Sequence, residues 1–81
     1  MGKYQGHRSW NAWNVSLWIS NDEPLYRFAM ECLKGVSNNK RGLAHATRYF
    51  MAMIGGNGVK TPDGAYYNRI CVKEALAGLM E

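Results

Sequence analysis

Apolar positions recur at helical spacing over much of this chain. The clearest case is Leu25, Phe28, Ala29, Cys32, Leu33 and Val36, at i, i+3, i+4, i+7, i+8 and i+11, with Arg27, Glu31 and Lys34 on the other side. That pattern predicts an amphipathic helix with one buried stripe. Its start is marked twice: Ser20 and Glu23 have capping-box spacing, and Asp22 is an alternative cap. Pro24 is tolerated in a first turn, acids there oppose the positive end of the helix dipole, and Gly35 weakens the far end. "SNNK" then supplies a turn, with Asn38 or Asn39 as cap for a helix from about residue 40 to 54. In it Leu43, Ala46, Phe50 and Met53 are expected inward, and Arg41, His45 and Arg48 outward. The ending "AYYNRICVKEALAGLME" predicts a last helix capped by Asn68, with Val72, Ala75, Leu76 and Leu79 inward.

"SWNAWNVSLWISNDE", residues 9–23, fits two patterns. As a helix capped by Ser9, Trp10, Trp13 and Leu17 share one side while Ala12, Val15 and Ile19 fill another. As a strand over 12–19, Trp13, Val15, Leu17 and Ile19 alternate with Asn14 and Ser16 until Trp18 breaks the polar face. The helix is favoured and the strand, which would make the fold α+β, stays open. Asn11 and Asn14 are read as hydrogen bonders at a helix end or between helices. Residues 55–65 are a Gly-rich loop with a Pro-Asp-Gly turn. Its "GGNGVKT" is not a phosphate loop, because Lys-Thr does not directly follow the last glycine and no strand precedes it. Residues 1–8 are polar and expected to be a flexible arm.

At 81 residues the chain has room for a single small domain. The expected fold is all-α, a bundle of three to four helices. Trp13, Leu17, Phe28, Leu33, Leu43, Phe50, Leu76 and Leu79 make its core. Trp10 joins Trp13 inside, because the interior is otherwise short of large side chains, and Trp18 is left partly exposed. Cys32 and Cys71 form no CxxC pair and sit beside apolar helical positions, so both read as buried free thiols in a reducing compartment. The start has no apolar core of a secretory signal, and the longest apolar run is far short of a membrane span. Soluble, cytoplasmic residence follows as an expectation, with no membrane partner.

Net charge is +4, and its distribution adds more than its size. Over residues 34–60 the chain carries Lys34, Lys40, Arg41, Arg48 and Lys60 and no acid, while Asp22, Glu23 and Glu31 gather just before. Such a stretch attracts nucleic acid or an acidic protein surface. Chemistry is thin by comparison. His7 and His45 have no neighbour at metal-ligand spacing, and no nucleophile–base pair is evident, so no metal, cofactor or enzymatic activity is expected.

The run "WNVSLWISNDEPLY", residues 13–26, follows the pattern W-N-V-x-L-W-I-x-N-D-E-x-L-Y and resembles a family of small, uncharacterised bacteriophage proteins. "TPDGAYYNRICVKEALAGL", residues 61–79, is similar to their usual close, a T-x-D-G turn before a short helix. Pro24 stands where those relatives carry glycine, which bears only on where the second helix starts. The resemblance implies phage origin and action in the host cytoplasm, and brings no functional residue with it. Taken with that resemblance, the small size and the lack of a catalytic motif suggest a non-enzymatic phage accessory protein that binds and inhibits a host protein, of the anti-defence or anti-CRISPR type, by steric occlusion. Arg41, His45, Arg48, Lys60, Arg69 and Lys73 would supply charge, and Tyr66, Tyr67 and Trp18 contact area. The alternative is a small DNA-binding or regulatory protein that uses the same basic helix and the turn-helix segment at 66–73. A bland reading stands beside both: the basic residues as a solvated helix face, and Tyr66 or Tyr67 closing the edge of the core.

Overall fold

Each helix begins where a short polar side chain accepts a backbone N–H that the helix itself leaves without a partner. The computed structural model describes residues 9–56 and 58–80; the arm expected at 1–8 lies outside them. Ser9 Oγ accepts the Ala12 N–H (3.1 Å) and opens α1, Trp10–Asn21. Asp22 accepts the Leu25 N–H (3.2 Å) and opens α2, Glu23–Lys34. Asn39 accepts the Gly42 N–H (2.9 Å) ahead of α3, Lys40–Ile54, and Asn68 accepts the Cys71 N–H (2.9 Å) ahead of α4, Arg69–Met80. Residues 12–19 are helical, so the strand alternative falls and the fold is all-α.

The second cap settles a choice that the spacing left open. α1 runs on through Asn21, and the Asp22 N–H donates to the Trp18 carbonyl (2.9 Å). Ser20 is therefore inside α1 and cannot cap α2, and Glu23 instead pairs with Arg27 at 2.6 Å. Asp22 alone ends one helix and starts the next.

α4 packs against α1 and α3, and α2 packs against α1 and α3 and also meets α4. The seams are lined by small side chains: Ala12 and Val15 of α1, Cys71, Val72 and Ala75 of α4, and Ala46 of α3 are all buried. This corrects the expected orientation of α1. Its inward side is Ala12, Val15 and Ile19, whereas Trp10 is 40% exposed, Leu17 is exposed and Trp13 is only half-buried. Indole rings on that seam would hold α1 and α4 apart, so the small side of the helix wins. The large residues of the core come from elsewhere. Phe28 of α2 stacks at a tilt on Phe50 (5.0 Å between centroids), and Phe50 meets Tyr67 (6.5 Å). Phe50 and Leu76 are fully buried, with Phe28, Leu33, Leu43 and Leu79 packed partly buried around them.

α3 is likewise rotated from expectation. Met53 points outward, 60% exposed, and Thr47 is buried in its stead. Thr47 tolerates this because its hydroxyl donates to the Leu43 carbonyl (2.8 Å). The first turn of α3 also demands a glycine, since a methyl group on Gly42 would overlap the Ser37 carbonyl oxygen. Cys32 and Cys71 are free and buried as expected, and burial, followed by the charge of Glu31, pushes the Cys32 thiol up to about 11. Among the described residues, no helix is long and apolar enough to cross a membrane.

Candidate functional site

The two stretches that carry the sequence resemblance meet in space. At residues 61–64 the Gly64 N–H donates to the Thr61 carbonyl (2.9 Å), closing a turn around Pro62 and Asp63, with Gly64 at φ +96°. The left-handed conformation there favours glycine. Hydrogen bonds from Thr61 N–H to Ala65 O (2.7 Å) and from Tyr67 N–H to Val59 O (2.9 Å) extend the turn into a miniature hairpin.

α1 grips this hairpin with Asn11, Asn14 and Trp18, spaced i, i+3, i+7 on one helix face. Asn11 accepts the Tyr66 N–H and donates to the Tyr66 carbonyl, both at 2.8 Å. Asn14, fully buried, accepts the Thr61 hydroxyl (2.7 Å) and donates to the Asp63 carboxylate (2.9 Å). The Trp18 indole N–H donates to the same carboxylate oxygen (2.9 Å), and Thr61 Oγ accepts the Ala65 N–H (3.0 Å). Hydrogen bonds from Asn14 first, then Trp18, hold the Asp63 carboxyl below its ordinary value. No buried side-chain polar atom among the described residues lacks a partner.

This network reassigns part of the expected contact surface. Trp18 is half-buried and its N–H is engaged by Asp63. Tyr67 is only 5% exposed and closes the edge of the core beside Phe50, and burial, then the charge of Asp22, raises its hydroxyl. It is removed from the contact surface. Tyr66, its neighbour, faces out at 48% because the extended chain alternates sides, Ala65 in, Tyr66 out, Tyr67 in. The Lys60 ammonium lies 5.0 Å from the centre of the Tyr66 ring, a cation–π distance.

The basic residues stand apart from that network. Arg41, His45 and Arg48 are all exposed along the outer face of α3, opposite Ala46 and Phe50, and Ala44 and Ala52 are exposed as well. Tyr49, 54% exposed, borders the same face. Arg48 and Arg69, from the first turn of α4, line one open hollow of about 250 Å³ together with Met51, Ala52 and Gly56. Lys73 is exposed one turn further along α4. No ion pair among the described residues engages Arg41, Arg48, Arg69 or Lys73; the pair Arg27–Glu23 belongs to α2. A second, more apolar hollow of about 460 Å³, which the periodicity gave no reason to expect, opens where α2 and α4 end, between Met30, Leu33, Val36, Leu79 and Met80. No cluster of His, Cys, Asp and Glu among the described residues could hold a metal ion, and His7 lies outside them.

The chain belongs to a family of unknown function, DUF7249, whose model matches residues 1–81. No curated protein and no solved structure matches it.

Proposed function

Starting from that membership, which brings no activity with it, we propose that this chain is a non-enzymatic binding protein. In this reading it is a phage accessory protein that acts in the host cytoplasm and inhibits a host protein, in the anti-defence or anti-CRISPR manner, by covering a functional surface. One observation carries the reading: Arg41, His45 and Arg48 form an exposed basic face on α3, which Arg69 and Lys73 continue on α4, with no acid among these residues. Charges arranged in this way steer an acidic surface into place and fix its register. Tyr66, stiffened by the clamp of Asn11 on both its backbone groups, offers ring area at little entropic cost.

Affinity capture from a lysate of the host tests this. Arg41→Glu with Arg48→Glu, both exposed, should change stability by no more than about 0.5 kcal/mol each and abolish capture. Capture that survives the double reversal places the interface elsewhere. The same basic face suits the second reading, a DNA-binding accessory protein. There affinity should fall log-linearly with salt, at a slope of about −0.9 per phosphate contact, and added duplex DNA should compete. Capture indifferent to added DNA rejects it.

A further inference from the structure

We infer that the hollow between Arg48 and Arg69 is a binding site for one phosphate group, presented as the monoester of a phosphorylated side chain on the bound protein. The inference rests on the reading above for where that side chain comes from, but the site itself stands on its own geometry. Two arginines from different helices, Arg48 of α3 and Arg69 of α4, line a single hollow of about 250 Å³. The remaining lining among the described residues is Met51, Ala52 and Gly56, with no acid. Glu74, the nearest acid along α4, lies five residues on from Arg69 and hence about 140° around the helix. Two like charges in one hollow repel each other unless an anion sits between them.

The charge of the ligand follows from that count. A phosphate monoester carries about −1.5 to −2 at neutral pH and offers three acceptor oxygens, enough to take a forked contact from each arginine. A carboxylate or a phosphodiester carries a single negative charge and leaves one guanidinium uncompensated. Met51 and Ala52, apolar members of the lining, suit the carbon stem behind a phosphorylated side chain. Arginine is the residue matched to this geometry, whereas lysine offers only a point charge.

Amide chemical shifts in the whole protein, titrated with inorganic phosphate at ionic strength held constant with chloride, provide the test. Saturable shifts at Met51, Ala52, Gly56 and Arg69 are expected. They should vanish in Arg48→Gln and in Arg69→Gln and persist in Arg41→Gln, with melting temperature as the check that each variant is folded. A phosphoserine peptide should reproduce these shifts at least about tenfold more tightly than the same peptide unphosphorylated. Shifts that do not saturate, or that spread evenly over Arg41, His45, Arg48 and Lys73, overturn the site. A 5′-phosphorylated oligonucleotide that outcompetes the phosphopeptide overturns the side-chain source. Failure of host-protein capture with saturable phosphate binding intact sinks the proposed function alone and leaves the site standing.

Discussion

At Asn14 an amide sits fully buried on a helix otherwise turned to the apolar interior, and every polar atom it meets is satisfied. An unpaired amide there would cost about 1–3 kcal/mol, so Thr61 and Asp63 are as necessary to Asn14 as it is to them. The sequence offered a hint, because Asn11 and Asn14 interrupt an apolar helix at the spacing of one face, but not the partners, which lie about fifty positions away. The caps were legible, since a short polar side chain at a helix start acts within three residues. Asp63 gives the network a pH dependence. Its folded value is lowered, so below the ordinary carboxyl range the unfolded chain binds more protons than the folded one. The contribution is complete above about pH 5 and is lost as pH falls through the lowered folded value. Urea midpoints measured down the acid range should therefore drop more steeply for the wild type than for Asp63→Asn, which cannot lose a charge there. Parallel pH profiles would mean that the carboxylate is not engaged.

Between helices, shape decides what hydropathy leaves open. For α1 the sequence provides two apolar sides, and periodicity weighs Trp10, Trp13 and Leu17 above Ala12, Val15 and Ile19. The close seam against α4 selects the smaller set; on α3 the buried side is Ala46, Thr47, Phe50 and Met51, with Met53 outside it. Helix number, extent and the outward row of Arg41, His45 and Arg48 were legible because each depends only on residues within a few turns. The neighbourhood of Arg48 and Arg69 was not, because it arises from how α3 and α4 cross. Two glycines test the packing with opposite signs. Gly42→Ala drives a methyl group into the backbone at Ser37 and should destabilise by about 1–3 kcal/mol despite the better helix propensity. Gly78→Ala, at an exposed position of α4 with nothing within 4 Å of the added carbon, should stabilise by about 0.5–1 kcal/mol. A chemical denaturation midpoint that rises in Gly42→Ala as it does in Gly78→Ala would show that α3 does not approach Ser37 so closely.

For the molecule as a whole, residues 13–26 and 61–79 are joined by hydrogen bonds from Asn14 and Trp18 to Asp63 and from Thr61 to Asn14, so these stretches hold the bundle closed and leave the basic face of α3 outside that network. A chain of 81 residues has little stability in reserve, and its distribution is uneven. Phe50 is fully buried and touches rings on two other segments, Phe28 and Tyr67, whereas Trp10, the larger side chain, stands 40% exposed at the start of α1. Composition ranks the tryptophan first; the packing reverses the order. Phe50→Ala should cost about 3–5 kcal/mol, close to the whole stability expected of so small a domain, and leave the protein largely unfolded at 37 °C. Trp10→Ala should lower the melting temperature by only a few degrees. Thermal unfolding followed by circular dichroism separates the two, and a Trp10→Ala variant that melts before Phe50→Ala would return the indole to the core and with it the original orientation of α1.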